Sequence, residues 1–505
     1  MVYKSGNRNK RIVFGVIDMH ERLVPEEVNY SELIKIGSLS PNNYKKLSIK
    51  NKNQVYVRDF LQEKVPFIKG MEPGSSSYVI ESKQKFLRNS CINNIQYSTD
   101  KSKYIFLNPN YYDDNAVVTG DILFCTDANI GDCCLYISDE ENVVFSSGII
   151  KLQFKRDNEK YYVMAFLRDD YFREQLDAKT PKGATIRHSG DRFLDCLIPQ
   201  CPEDWVLEVV ESLIKNISYS EYESDYKLRE TERIIKDELI INKFDYVNPT
   251  IKRISEKMRL DSGVYSDTVF QWIENVKKYR NGFCSLKGFG FELKRGPNLA
   301  KRDLGRSIQT ESYRRGYSVL IYPSDISSSG YIEKVSYLGA RNPIWYLEKS
   351  NILFSTEGTI GKTFVVCDEN MHFTTNFHGT IVKPIKKNEP LDKSIFLGLY
   401  LNFLRSEGVF NKLAVGGNGG SFAVGYWNNI LIPKVDMSFM EGLKRYYHSD
   451  VQLNPTTFDR EQIRKAGIYE LNQFLIKTKA VLSLICNDIK SNKLKERQFY
   501  EKYGE

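Results

Sequence analysis

The chain has 505 residues, with 72 lysines and arginines against 64 aspartates and glutamates, for a formal net charge of +8. Its 41% hydrophobic and 13% aromatic content is enough for roughly two to four domains with apolar cores, which excludes an intrinsically disordered chain. No apolar run reaches the length a transmembrane helix needs, and so modest a positive charge permits a polyanionic partner without demanding one. The polar, basic start Met1–Arg8 has no apolar stretch behind it, so no secretory signal is expected. Nine cysteines at irregular spacings suggest reduced thiols and a cytoplasmic chain. Cys133-Cys134 and the Cys196/Cys201 spacing lack a matching second pair or a nearby histidine, so zinc is not expected.

From Arg11 to Pro199, short apolar runs are broken by Gly, Asn and Asp. Val65–Ile68, Gly120–Cys125, Cys134–Ile137 and Val143–Phe145 read as short strands of a compact, loop-rich α/β domain, interrupted by an amphipathic piece over Tyr161–Leu176. Pro202-Glu203-Asp204 before Trp205 is a helix start, and neither Pro nor Gly follows as far as Asn242. Val206, Val210, Leu213 and Ile217 form a stripe that lapses and resumes at Leu228, Ile235 and Leu239, like a coiled-coil stutter. Strand-like runs return between Gly282 and Pro433, among them Tyr317–Tyr322 and Thr363–Val366. Near the C-terminus Ile468, Leu475, Leu482 and Ile489 fall seven apart, with Leu471, Thr478 and Ile485 at the other seam position. An amphipathic helix packed on its own domain would show such a pattern. Two long stripes, one after each domain, favour two helices paired antiparallel; about 35 residues span roughly 50 Å.

The two halves echo each other. Ile122-Leu123-Phe124-Cys125-Thr126-Asp127-Ala128-Asn129-Ile130-Gly131 recurs 230 residues later as Ile352-Leu353-Phe354-Ser355-Thr356-Glu357-Gly358-Thr359-Ile360-Gly361. Phe145-Ser146-Ser147 with Gly148-Ile149-Ile150 is answered by Phe373-Thr374-Thr375 with Gly379-Thr380-Ile381, and Leu197-Ile198-Pro199 by Leu431-Ile432-Pro433. A period this long is a duplicated domain rather than a solenoid unit. The expected fold is mixed α/β: homologous α/β domains at 1–202 and 246–437, a first spacer helix at 203–245 and a second at 438–505. The two helices would pair as an antiparallel coiled coil, with pseudo-two-fold symmetry.

Catalytic motifs are incomplete. Gly361-Lys362-Thr363 imitates a phosphate-binding loop, but the required glycine five residues earlier is Thr356. The Thr-x-x-x-Ile-Gly element reads better as a strand-to-strand turn with its glycine at positive φ. Asn108-Pro109-Asn110-Tyr111 departs at its third position from the Asn-Pro-Pro-Tyr loop of amino-methyltransferases. Asp59 with Glu81-Ser82-Lys83 is too loose a triad for a nuclease, and His20, His188, His372, His378 and His448 show no metal spacing.

Basic clusters are better defined. Lys294, Arg295, Lys301, Arg302, Arg306, Arg314 and Arg315 fall within 22 residues, opposed by Asp303 and Glu311 and interleaved with Tyr313 and Tyr317. Such a loop is either a solvated surface or a surface for phosphate neutralisation and groove contact, where arginine pairs with guanine. First-half candidates are Lys45 and Lys46, with Lys50 and Lys52, and the segment Lys182–Arg187 with Arg192. The second-half counterpart of that segment is the glycine-rich Gly416–Ser421, which contains Asn418.

An Ile-Leu-Phe-Ser-Thr-x-Gly-Thr-Ile-Gly strand-turn, a glycine-rich loop before an Ile-Pro strand and then a long helix, all occurring twice, resembles the specificity subunit of type I restriction-modification systems. The second copy fits better than the first, where Ala128-Asn129 replaces Gly-Thr. The resemblance implies that each α/β unit is a target recognition domain reading one half of a bipartite site in double-stranded DNA, and that the helices set the spacer. It also implies a non-catalytic chain with no cofactor of its own, on which two methyltransferase subunits carrying S-adenosylmethionine dock, and it allows restriction or translocase subunits as further partners. Two alternatives remain open at this level: a nuclease or DNA methyltransferase with an unrecognised site, and an orphan or phage adaptor that binds modification subunits without DNA.

Overall fold

The computed structural model describes residues 21–503, apart from 24, 26, 37–38, 40, 110, 112–115, 140–141, 182–186, 240 and 417–419. The fold is mixed α/β. The first half runs β1 (Glu21–Leu23), α1 (Tyr30–Ile36), β2 (Lys46–Ser48), β3 (Gln54–Tyr56), β4 (Phe67–Lys69), β5 (Tyr78–Val79), β6 (Lys85–Leu87) and β7 (Ile105–Leu107). It continues with β8 (Ile122–Cys125), β9 (Cys133–Leu135), β10 (Val144–Phe145), β11 (Ile149–Leu152), α2 (Lys160–Leu167), α3 (Asp170–Lys179) and β12 (Leu197–Pro199), then α4 (Asp204–Leu239). The second half opens with α5 (Ile251–Lys257), α6 (Asp267–Lys277), β13 (Phe283–Cys284), α7 (Leu286–Phe289), β14 (Phe291–Arg295), α8 (Lys301–Leu304) and β15 (Ser307–Thr310). Then come β16 (Ser318–Leu320), β17 (Ser336–Ala340), β18 (Ile352–Ser355), β19 (Thr363–Val365), β20 (Phe373–Thr374), β21 (Gly379–Pro384), α9 (Leu391–Ser406), α10 (Val409–Leu413) and β22 (Ile432–Pro433). The chain closes with α11 (Met437–Tyr447), α12 (Arg460–Lys465), α13 (Ile468–Lys490) and α14 (Glu496–Tyr503).

The halves share one topology. A four-stranded antiparallel sheet in the order β4-β11-β8-β9 recurs as β14-β21-β18-β19. A second sheet, β10-β6-β7-β5, recurs as β20-β16-β17-β15, and in both its first pair is parallel and the others antiparallel. β12 pairs with β3 as β22 pairs with β13. The repeated Ile-Leu-Phe run supplies β8 and β18, whose residues are all buried, which is why it reads as continuously apolar rather than alternating. Gly131 at φ +85° and Gly361 at φ +92° close the turns to β9 and β19, their N–H groups reaching Cys125 O and Ser355 O at 3.0 Å. The other echo is the corner where the chain leaves one sheet for the other, between β10 and β11 and between β20 and β21. There a glycine after β4 or β14 passes so close that an added Cβ at Gly70 would stand 2.3 Å from Phe145 O, and at Gly296 2.0 Å from Asn376 O.

The amphipathic piece over Tyr161–Leu176 forms two helices, α2 and α3. The helix breaks at Arg168-Asp169, where the Asp169 carboxylate accepts the Tyr171 N–H at 2.9 Å and caps α3. The span 438–505 differs from the expected single spacer helix. Pro455, an Asn454 turn accepting the Thr456 N–H at 2.9 Å and the Asp459 cap separate α11 from α12 and α13. Asn216 of α4 donates to Pro455 O at 2.9 Å and Thr457 O at 3.0 Å, tethering that loop. The heptad seam itself is α13, and Ile468, Leu471, Leu475, Thr478, Leu482, Ile485 and Ile489 are all buried.

α4 and α13 pack along each other in opposite directions. Trp205 stacks near Phe499 just beyond the end of α13, Glu221 meets Lys479, and Leu228 and Ile468 share the Gly330 neighbourhood. The lapse in the α4 stripe is not an exposed face: Ser218, Ser220, Glu221, Ser224 and Thr231 are buried. The lower half of α4 shares a core with α2 and the C-terminal part of α13, while Leu228, Ile235 and Leu239 join the core of the second half.

Candidate nucleic-acid interface

The cation-rich stretch of the second half leaves β14, passes through α8 and enters β15, so it borders both sheets of that half. Lys294 and Arg295 are exposed at the end of β14, a strand whose Phe291 is buried. Aromatic rings hold several heads in place. Lys294 Nζ stands 4.7 Å from the Trp345 ring and Arg295 5.5 Å from Phe377, and Arg295 Nε donates to Phe377 O at 3.0 Å. Arg314 lies 5.8 Å from Tyr317. Of the opposing acids, Asp303 pairs with Arg302 at 3.5 Å and Glu311 is taken by Lys334 at 2.6 Å.

Strand pairing adds a residue that the sequence did not single out. β15 lies antiparallel to β17, with Ser307 opposite Ala340, and the Arg341 N–H donates to Arg306 O at 3.0 Å. Two exposed arginines 35 positions apart thus sit side by side. They line a cleft of about 520 Å³ together with Tyr317, Tyr346 and Asn342. Among the described residues, no carboxylate ion-pairs with Lys294, Arg295, Lys301, Arg306, Arg314, Arg315 or Arg341, although ion pairs are common elsewhere on the chain. Like charges crowded without counter-ions cost stability, so such an edge makes sense where a polyanion supplies them.

The first half distributes its candidates differently. Lys45 and Lys46 stand at the start of β2, which pairs with β1. The turn before β2 packs on α3. Arg187 is tied to Asp177 at 2.9 Å, and Lys182 and Asn418 lie outside the described residues. The topological match to the second-half edge contains exposed Lys69, at the end of β4 as Arg295 is at the end of β14, and exposed Lys83 in the β5–β6 loop, neither with an ion-pair partner among the described residues. No sequence signal marked these two. They are isolated cations, and only the shared strand order brings them into register with Arg295, Arg314 and their neighbours.

Asp127 and Glu357 hold the same place in the two turns, and each pairs with a histidine: His188 at 2.9 Å and His378 at 3.0 Å. The histidines come from different places: His188 from the segment before β12, and His378 from the turn between β20 and β21. Glu357 and His378, with Arg295 and Phe377, line a recess of about 280 Å³.

The catalytic look-alikes have structural work. The Lys362 ammonium donates to Ile326 O at 2.5 Å, and burial pushes its pKa below the usual lysine range. The Asp59 carboxylate accepts the Tyr56 N–H at 2.9 Å. Burial raises the Cys133 and Cys91 thiols to about 11, so they stay protonated. No group of three His, Cys, Asp or Glu side chains is placed to hold a metal among the described residues, and none of their helices is long and apolar enough to cross a membrane.

No family model matches the chain, and no curated protein matches it. Solved structures do. An S subunit of a type I restriction-modification system from M. genitalium aligns over 89% of this chain and 99% of its own, at 11% identity and a TM-score of 0.36. The HsdS subunit from Thermoanaerobacter tengcongensis aligns over 88% and 98%, at 14% identity and a TM-score of 0.27. A chain from a study of complex assembly and conformational transition of the type I R-M system aligns over 87% and 98%, at 11% identity and a TM-score of 0.27. At these scores the alignments carry no functional argument, which rests instead on the geometry of this chain.

Proposed function

We propose that this chain is the DNA-recognition subunit of a type I restriction-modification complex, a non-catalytic protein that reads a bipartite site. The observation that carries the reading is the exact repetition of a two-sheet topology on either side of an antiparallel helix pair. One copy bears an uncompensated cation edge, and the other bears a sparser one at the matching place. Two like domains held at a fixed separation suit a target made of two short sequences at a fixed distance. Exposed lysines and arginines, Arg306 and Arg341 among them, would neutralise phosphates, and a bidentate guanidinium such as that of Arg295 suits a guanine edge in the major groove. The paired α4 and α13 would set the spacer. In this reading two methyltransferase subunits carrying S-adenosylmethionine dock on the chain and methylate one adenine in each half-site, and restriction or translocase subunits join them.

Selection from a randomised duplex pool with the purified chain tests this. The expected outcome is two short conserved sequences separated by a fixed number of free positions, bound with steep salt dependence and without turnover. A variant with four residues added to α4 and four to α13, about 6 Å each, should keep both half-sites and lengthen the spacer by one or two base pairs, at roughly 3.4 Å each. Selection of one contiguous sequence, or of none, refutes the proposal.

A further inference from the structure

The middle of the helix pair is polar where a coiled coil would be apolar. The Glu221 side chain is fully buried, and its Oε2 accepts the Tyr97 N–H at 2.7 Å, the Ser98 N–H at 3.0 Å and the Ser98 hydroxyl at 3.0 Å. Its Oε1 lies 3.0 Å from Lys479 Nζ of α13, and the same ammonium donates to Glu333 O at 3.3 Å. The Gln96 amide donates to the Glu333 carboxylate at 3.3 Å. Four segments therefore meet at one charge pair: a loop of the first half, both long helices and a loop of the second half. The neighbouring anchors are divided the same way. Ser218 Oγ of α4 donates to Tyr97 O at 3.4 Å, and Asn472 of α13 accepts the Ile332 N–H at 2.6 Å and donates to Gly330 O at 3.1 Å.

An apolar seam that repeats every seven residues tolerates a slip of one heptad, about 10 Å along the axis. On DNA that shift corresponds to roughly three base pairs. A slipped or tilted arrangement would leave Glu221 buried against apolar side chains with its charge unanswered, so the pair discriminates between registers that hydrophobic packing alone would not. We propose that Lys479, paired with Glu221, is a positioning residue that fixes the register of α4 on α13 and hence the distance between the two half-site readers. The inference rests on the bipartite reading proposed above, but the distance it concerns is measurable without DNA.

The test compares Lys479→Met, Lys479→Arg and the double variant Glu221→Gln/Lys479→Met, in which glutamine still accepts from the Tyr97 and Ser98 amides and no unpaired charge is buried. Spin labels on non-natural side chains at Glu63 and Lys387, both exposed, report the separation of the halves. A randomised-pool selection reports half-site sequence and spacing. The double variant should fold with native circular dichroism, broaden the label-to-label distance distribution and relax its preference for one spacing roughly tenfold. Its half-site sequences should stay unchanged, and Lys479→Arg should restore a narrow distribution. A folded double variant with a narrow distance and one sharp spacing overturns the proposal. A broadened distance in a protein whose wild type selects no bipartite sequence upholds the pin and refutes the recognition reading instead.

Discussion

Removing Arg306 and Arg341 together is the sharpest probe of the cation edge, because the two side chains are exposed neighbours on paired strands and belong to no packed core. Their backbones lie 3.0 Å apart in a main-chain hydrogen bond that alanine retains, so Arg306→Ala/Arg341→Ala should not lower the unfolding midpoint. Among the described residues, the cations of this edge without a carboxylate partner are Lys294, Arg295, Lys301, Arg306, Arg314, Arg315 and Arg341. If each meets a phosphate, the slope of log affinity against log salt is about −6 from this edge alone, at roughly 0.9 per contact. Affinity then falls by nearly four decades between about 50 and 200 mM salt, and the double variant, with a slope near −4.5, loses fewer than three. Fluorescence anisotropy on a non-cognate duplex across that salt range measures both slopes, and thermal melts check the fold. An unchanged slope in a folded variant refutes the assignment of this edge to phosphate neutralisation. A change confined to one cognate sequence would make the pair base readers instead.

Ala128 sits at φ +58° where the second copy has Gly358 at φ +69°, so Ala128→Gly should stabilise the protein by about 1 kcal/mol in urea titration; destabilisation would mean the residue's methyl is packed. Leu475 is 1% exposed in the α13 seam, so Leu475→Glu should cost about 2–5 kcal/mol and show as a lowered denaturation midpoint. Burial of Glu232 in α4, near Ser406 and Arg405, raises its pKa from the usual carboxylate range to about 7. The folded state therefore keeps a proton that the unfolded chain releases, and stability falls as pH rises through that window, with the full loss above it. Glu232→Gln should flatten this dependence, seen as denaturation midpoints that no longer drop between pH 5 and pH 8.

Much of the second half's candidate surface was legible because it is local: Lys294 to Arg315 is one stretch of chain, and its charge density shows without a fold. The repeated Ile-Leu-Phe run, its glycine turn and the α13 heptads were legible for the same reason, since a buried strand, a positive-φ turn and a seven-residue seam each leave their mark within about ten to twenty residues. Arg341 was not. Its place beside Arg306 depends on the pairing register of β15 with β17. Lys69 and Lys83 gain meaning only from matching strand order in the other half. Lys45 and Lys46 were candidates from the sequence alone, and only the tertiary structure shows that the turn before them packs on α3.

The sequence by itself determined that the repeated Ile-Leu-Phe runs become buried strands, where α4 begins and that one strand plan occurs twice, because those depend on periodicity, capping and repetition along the chain. Only tertiary structure decided that the polar lapse in α4 is a buried joint rather than an exposed face. A glutamate such as Glu221 can be buried only where partners satisfy it, and those partners, Tyr97, Ser98 and Lys479, come from segments more than a hundred residues away on either side. The same distance along the chain explains the broken second helix, whose interruption at Asn454–Thr457 is held by Asn216 of α4.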